Sequence, residues 1–316
     1  MLKILDFTSN HIEQAIIIAK KNFEEEQKHT KILPIINKYP DFSSFVKNEL
    51  GVSAFLGNEM VGYLCCLGPF KNAFGSTKAM GVWSPLHGNG LIGCEHKNIF
   101  AKMYQEAARK WVDLGITSHA ITFYANNIIV QDQLFRYGFG LRSIDAIRQM
   151  ETIEIRNDSE ISLTELEYNN FSLIIPLDKL LRVHCRNSPT FLRYEIGDVD
   201  KENQIKRVIN KNVRYFVAKD NNNIIAYIKI SDNGESYISE ANCMKNICGA
   251  YCLPEYRGKS VFQELMNYTL NKLHDENYKL LGVDFESFNP TASGFWSKYF
   301  IEYTHSVVRR IDDLFI

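Results

Sequence analysis

The sequence predicts two tandem domains of the α/β type, in the α+β sense of a mixed β-sheet flanked by helices. Three observations carry this. A chain of 316 residues is long for one compact core, so two domains are the better expectation. One apolar helical stripe occurs twice in the same register. In each half, antiparallel strand patterns precede a strand–helix–strand unit, the order expected of a mixed sheet.

The stripe is Val261, Phe262, Leu265, Met266, Thr269, Leu270 and Leu273 in the second half. Its counterpart is Ile99, Phe100, Met103, Tyr104, Ala107, Ala108, Trp111 and Val112. Both have the 3.6-residue period of a helix with one wide buried face. They register at a constant offset of 162 residues, and the same offset carries Asn127 onto Asn289 without a gap. Helix, following strand and asparagine in one register indicate an internal duplication. The domains are placed at residues 1–155 and 161–316, joined by the polar run Arg156 to Glu160.

The first half reads as a strand at Leu2–Phe7 and helices over His11–Lys28 and Phe42–Leu50. Strands follow at Ser53–Leu56, Met60–Leu67 and Ala79–Ser84. After the stripe helix come a strand at Ala120–Tyr124, a helix over Ile129–Arg136 and a strand at Arg142–Met150. The second half opens with a strand at Ser162–Leu166 and a helix over Leu173–Cys185. Asp220 to Asn223 forms a hairpin turn between Tyr215–Ala218 and Ile224–Ile230. The apolar run Ile247–Leu253, the stripe helix, a strand at Leu280–Phe288, a short helix at Pro290–Tyr299 and a strand at Thr304–Ile311 complete it.

The composition is that of an ordinary globular protein, and a formal charge of −1 gives no electrostatic reason for a nucleic-acid or membrane partner. The apolar stretch Ala15–Ala19 is too short for a signal sequence or membrane span. The cytoplasm is the expected location, with a monomer or homodimer as the expected state. The cysteines lack any CxxC pair and read as reduced structural thiols, with no metal site.

The most informative stretch is Pro254-Glu255-Tyr256-Arg257-Gly258-Lys259-Ser260-Val261-Phe262. It ends a strand and opens a helix. The first amides of a helix have no partner within it, and the helix dipole favours an anion there. Gly258 permits close backbone approach, and Arg257 and Lys259 add positive charge. The turn therefore suits a phosphate.

Strand, this turn, amphipathic helix, strand and Asn289-Pro290-x-Ala292-x-x-Phe295-Trp296 resemble the GNAT N-acetyltransferase superfamily. The resemblance is strong over residues 195–316. In the first half it is weaker, through Tyr124-Ala125-Asn126-Asn127 and Tyr137-Gly138-Phe139. It implies a tandem two-domain member with the GNAT fold, using acetyl-CoA as co-substrate and acetylating the primary amine of a small molecule or peptide. The family signature R/Q-x-x-G-x-G/A falls on Arg257 to Phe262, with Ser260 and Phe262 departing from it. The resemblance implies that pantetheine pairs with the strand edge at Tyr251, Cys252 and Leu253 as an added strand would. Pyrophosphate would lie on the amides of Arg257, Gly258, Lys259, Ser260, Val261 and Phe262, although the bulk of Phe262 is better read as facing the core. Asn289, Ala292, Phe295 and Trp296 would complete the cofactor site. Asn289 before Pro290 also reads as a helix N-cap, and Phe295 and Trp296 equally suit a core.

The offset places Arg257-Gly258-Lys259-Ser260 on Glu95-His96-Lys97-Asn98. An acid there repels pyrophosphate, and the glycine is missing. The interval from Pro85 to Asn127 is also seven residues longer than that from Pro254 to Asn289. The first half is therefore expected to be degenerate for coenzyme A. Its run Ser84 to Gly90 is either an anion nest or a plain glycine-rich loop, and His87 reads as a solvent-exposed loop histidine, with a functional group titrating near neutrality as the alternative.

Acyl transfer to an amine needs a base, an oxyanion donor and a route for the thiolate. Glu286 and Glu240 are the candidate bases, with surface charge as the alternative for each. Where many relatives place a tyrosine near the leaving sulfur, this sequence has Trp296. Tyr299 is the candidate substitute, with packing as its alternative. Two further readings stay open: a tandem GNAT fold that binds acyl-CoA or a partner without turnover, and an aminoacyl-tRNA-dependent transferase, which the neutral charge disfavours.

Overall fold

The computed structural model describes residues 1–73, 78–93, 98–155, 160–193 and 212–311. The chain divides into two compact units, Met1–Ile144 with Glu302–Ile316, and Asp145–Ile301.

The first unit opens with β1 (Leu2–Asp6), α1 (Ile12–His29) and α2 (Ser43–Lys47). Then come β2 (Val52–Leu56), β3 (Glu59–Leu64), β4 (Leu67–Phe70), β5 (Met80–Ser84) and β6 (Asn89–Leu91). It continues through α3 (Ile99–Asp113), β7 (Ile116–Tyr124) and α4 (Ile128–Arg136). The strands form a sheet in the order β1-β2-β3-β6 and a row β4-β5-β7, to which the final strand of the chain, β14 (Ile301–Arg310), is added. The α3 stripe is buried as its periodicity requires, with Ile99, Phe100, Met103, Tyr104, Ala107 and Trp111 in one core cluster. Trp111 also donates its indole N–H to the carbonyl of Leu50 (3.0 Å), which satisfies the one polar atom that the ring would otherwise bury.

Strand β14 falls outside the linear division expected at residues 155 and 161. It pairs antiparallel with β7 from Thr304↔Tyr124 to Arg310↔Ser118. Val307 enters the α3 core cluster, and the hydroxyls of Thr122 and Ser306 meet at 2.7 Å. These contacts are tertiary, so the periodicity of the strand itself does not announce them. Strand β8 (Gly140–Gln149) is divided between the units at Ile144 and Asp145.

The second unit contains β9 (Ser162–Glu165), α5 (Ile175–Arg186), β10 (Arg214–Asp220), β11 (Asn223–Ser231) and β12 (Met244–Cys252). It closes with α6 (Val261–Asp275), β13 (Leu280–Glu286) and α7 (Pro290–Tyr299). Strands β13-β12-β11-β10-β9 are neighbours in that order. The hairpin turn is the one the sequence indicates: Asp220 pairs with Asn223, and Asn221 takes a left-handed φ of 54°. Helices α3 and α6 both have 15 residues, and their first residues, Ile99 and Val261, keep the offset seen in the sequence.

Candidate functional site

Strands β12 and β13 run parallel and pair from Met244↔Leu280 to Ile247↔Val283. Beyond that point they separate, although β12 continues to Cys252 and β13 to Glu286. A β-bulge marks the point of departure. On the other edge of β12, Lys229 pairs with Gly249 and Ile230 with Ile247, which leaves Cys248 as the extra residue. Such an insertion bends its strand and interrupts pairing.

A cleft of about 410 Å³ occupies the end of this gap. Ala250, Tyr251 and Cys252 of β12 form one wall, and Tyr256, Arg257 and Gly258 of the turn form its rim. Helix α6 contributes Phe262 and Gln263, and α7 contributes Asn289 at its cap with Ala292, Phe295, Trp296 and Tyr299. Leu181 and His184 reach it from α5.

The turn before α6 has an unusual backbone. Gly258 has a φ of 74° and Ser260 a φ of 63°, both left-handed. Ser260 thus keeps the conformation for which glycine is the usual residue, at some backbone cost. The first bond of α6 runs from the N–H of Glu264 to the carbonyl of Ser260 (2.9 Å), so the amides of Val261, Phe262 and Gln263 precede the helical ladder. Arg257 donates from Nε to the carbonyl of Cys252 (2.9 Å), and its guanidinium lies 5.3 Å from the centre of the Tyr251 ring. These contacts hold the cation at the rim. The Tyr256 hydroxyl donates to Asp220 (2.6 Å), which anchors the other side of the turn.

Beneath the cleft, Asn289 caps α7 by accepting from the N–H of Ala292 (3.4 Å) and also accepts from the Thr291 hydroxyl (2.8 Å). His184 Nε2 lies 3.0 Å from Thr291 Oγ1 and 3.4 Å from Asn289 Oδ1. The asparagine is therefore a cap and a cleft residue at once. His184 and Thr291 were not singled out from the sequence: a histidine on the polar side of an amphipathic helix has no local signature, and its partners are over 100 residues away.

Of the residues singled out for a cofactor, Tyr251, Cys252, Arg257, Gly258, Phe262, Asn289, Ala292, Phe295 and Trp296 line the cleft. Leu253, Lys259, Ser260 and Val261 do not. Leu253 packs against the core that contains Tyr227, and Val261 is buried at the base of α6. The core-facing reading of Phe262 is corrected. The ring is half-buried and forms a cleft wall, edge-on to Phe295 (4.9 Å) and Trp296 (5.9 Å). Tyr299 also lines the cleft, 4.9 Å from the Phe295 ring.

The two candidate bases separate. Glu240 is exposed, at the end of a 3-10 turn (Tyr237–Glu240) that precedes β12. It thus stands at the paired end of the strand, remote from the splayed end. Glu286 is half-buried on β13, beyond the last paired residue, and stands near Asp284. Burial pushes the Asp284 carboxyl well above the ordinary carboxylate range, and the negative charges of Asp145, Glu235 and Glu286 push it the same way. Cys248, the bulge residue, is solvent-exposed and lies close enough to Asp284 for the carboxylate charge to act on its thiol.

The first unit handles the corresponding places differently. Its β5 stays paired with β7 along its length, to Ser84↔Ile121. Just beyond, the buried Asn89 side chain donates to the carbonyls of Thr122 (2.9 Å) and Pro85 (3.3 Å) and to the Ser84 hydroxyl (3.1 Å). The gap between strands is plugged. At the start of α3, Gln133 Oε1 accepts the N–H of Ala101 (2.8 Å) and so occupies an amide of that helix end. The duplication offset puts Phe295 where Gln133 stands and Gln263 where Ala101 stands, so the second unit lacks this internal cap. The turn residues Glu95, His96 and Lys97 lie outside the described residues. The run from Ser84 to Gly90 is neither a nest nor a loose loop: it contains a 3-10 turn (Leu86–Gly88) and leads into β6. His87 is not solvent-exposed but half-buried between Phe42 (5.7 Å) and Phe45 (5.3 Å), and burial lowers its pKa to about 4.

Residues 180–300 match the model of the acetyltransferase (GNAT) family. Comparison with curated protein sequences found no match. Among solved structures, a GCN5-related N-acetyltransferase from Sphaerobacter thermophilus is similar at 10% identity and a TM-score of 0.52, covering 98% of this chain and 95% of its own. A GCN5-related glucosamine N-acetyltransferase region of a fungal multi-domain GH3 β-N-acetylglucosaminidase is similar at 10% identity and a TM-score of 0.54, covering 98% of this chain and 38% of its own. A tandem GNAT protein from the clavulanic acid biosynthesis pathway aligns at 11% identity and a TM-score of 0.48, over 98% of both chains. The GNAT family match thus covers residues 180–300 of the second unit, and the likeness to the Sphaerobacter thermophilus structure over 98% of the chain shows a fold of the same type. No helix among the described residues is long and apolar enough to cross a membrane.

Proposed function

We propose that the second unit is an acyl-CoA-dependent N-acyltransferase that moves an acetyl group from acetyl-CoA to a primary amine of a small molecule or peptide. The observation that carries this is the opening between β12 and β13, with a cleft that leads to the free amides at the start of α6. An extended pantetheine chain would pair with the β12 edge in place of the missing strand partner. Its pyrophosphate would rest on the amides of Val261 to Gln263, with Arg257 at the rim and Lys259 nearby.

In the reaction the amine nitrogen attacks the thioester carbonyl, the C–N bond forms, and the C–S bond then breaks. The nitrogen must arrive without its extra proton, and Asp284 and Glu286, which follow the last β12–β13 pair without lining the cleft, would receive it through water. A raised carboxyl pKa suits this task, because it brings the base closer to neutral pH. A backbone N–H of the bulged β12 would donate to the developing oxyanion. Tyr299 is the cleft phenol that would return a proton to the sulfur. Trp296 favours a second reading, a unit that binds acyl-CoA without turnover, because its indole is a poor proton donor and is packed among Phe262, Phe295 and Phe300.

The first unit is proposed to be degenerate for coenzyme A, in view of the Asn89 plug and the Gln133 cap. Release of free coenzyme A from acetyl-CoA, measured across a panel of primary amines, tests the proposal. Turnover with at least one amine, abolished by Asp284→Asn together with Glu286→Gln, is the expected result. Tight acetyl-CoA binding with no turnover on any amine would establish the second reading.

A further inference from the structure

A second cavity, of about 260 Å³, lies in the first unit. It is bordered by α1 through Asn22, Glu25, Glu26 and His29, by Leu91 at the end of β6, and by Tyr124 and Asn126 to Ile129 where β7 passes into α4. It is large enough for a small, extended ligand. Asn22 closes one side: it donates to the carbonyl of Leu91 (2.8 Å) and accepts the N–H of the same residue (3.0 Å).

Glu26 is the unusual member. It is only 2% exposed, yet it is a wall of the cavity. The side-chain donors that reach it, Asn126 Nδ2 (2.9 Å) and Thr30 Oγ1 (3.1 Å), both meet the same oxygen, Oε1. A backbone contact from Asn126 adds to them. All of these donors are neutral. Lys28, the nearest lysine in sequence, is tied to Glu25, and His29 is exposed at the rim. His29 acts on Glu26 only through its charge, from the exposed rim; a buried carboxylate with no cation in hydrogen-bond contact is costly, and among the described residues Oε2 receives no side-chain donor. Leu91, Ile128 and Ile129 supply apolar surface beside it.

We propose that this cavity is a binding site for an alkylammonium ligand, a diamine or short polyamine, with its ammonium on Glu26 and its methylene chain along Leu91, Ile128 and Ile129. A buried carboxylate, neutral supporting amides and an apolar wall are the three features such a ligand requires. The anionic phosphates of coenzyme A do not suit the carboxylate. The site is distinct from the cleft of the second unit and does not depend on acyl transfer there.

Calorimetric titration of the full chain with putrescine tests this. Wild type is expected to bind saturably, and Glu26→Gln to bind ten- to a hundredfold more weakly, the effect of losing one charge-assisted hydrogen bond. Should Glu26→Gln fail to fold by circular dichroism, Ile128→Arg replaces it. That exposed wall residue sets a fixed cation at the cavity without touching the Glu26 hydrogen bonds, and the same loss is expected. Absence of saturable binding to wild type, or unchanged affinity in the first-unit variant that folds, would overturn the proposal.

Discussion

Substitution of Ser260 isolates the conformational demand of the turn before α6 from its chemistry. The residue is left-handed, with φ 63° and ψ −9°, and its side chain makes no capping hydrogen bond to α6. For a side-chain-bearing residue this region costs about 1–2 kcal/mol. Glycine removes that cost but gains about 0.4–1 kcal/mol of unfolded-state entropy. Ser260→Gly should therefore sit between no change and a gain of about 1.6 kcal/mol, and should bind acetyl-CoA at least as tightly as wild type. Ser260→Val adds a β-branched side chain to the same conformation. It should lose about 1–2 kcal/mol more, a fall of about 2–8 °C in melting temperature for a unit of this size. Because the strain lies next to the amides of Val261 to Gln263, acetyl-CoA affinity should fall as well. Differential scanning fluorimetry with and without acetyl-CoA reads both quantities. If Ser260→Val melts with wild type and binds equally well, the turn does not have the backbone that the argument assigns to it.

Other expectations follow from the same geometry. Asn289→Ala should lose about 0.5–2 kcal/mol through its cap on α7 and should also weaken acetyl-CoA binding, whereas His184→Ala should weaken binding with little change in melting temperature. The raised pKa of Asp284 has a signed consequence, because its ordinary value is 3.8. Below that value the group is protonated in both states and costs nothing. As the pH rises through the folded pKa, wild type loses stability. Asp284→Asn should remove this loss, so its advantage in a urea titration should grow with pH; parallel profiles would refute the assignment. Asn89→Ala should strip its donor from the buried carbonyl of Thr122 and cost about 1–3 kcal/mol, with acetyl-CoA affinity unchanged.

Much of this architecture is legible in the sequence because long periodic elements declare themselves. The stripes of α3 and α6 are wide, and their buried residues are those the 3.6-residue period picks out. The turn from Pro254 to Phe262 was legible because its chemistry is local. Strands β4 and β6 were not, since four residues containing Gly68 and Pro69, or three containing Gly90, carry no alternation to read. The placement of β14 with the first unit was hidden for another reason: any antiparallel neighbour satisfies its local pattern, and only the contacts of Val307 and Ser306 decide. The same limit applies to the sites. His184, Gln133 and Asn89 act through partners distant in sequence, and Glu240 lost its place because strand direction, not proximity in sequence, sets which end of β12 a residue occupies.

The central claim is that one unit of the pair holds the acyl donor, and the stoichiometry of acetyl-CoA binding tests it most directly. Calorimetric titration of the full chain should give one site per chain, with affinity reduced at least tenfold by Arg257→Glu and unchanged by Asn89→Ala. Two equivalent sites per chain, or one site indifferent to Arg257→Glu, would contradict the account.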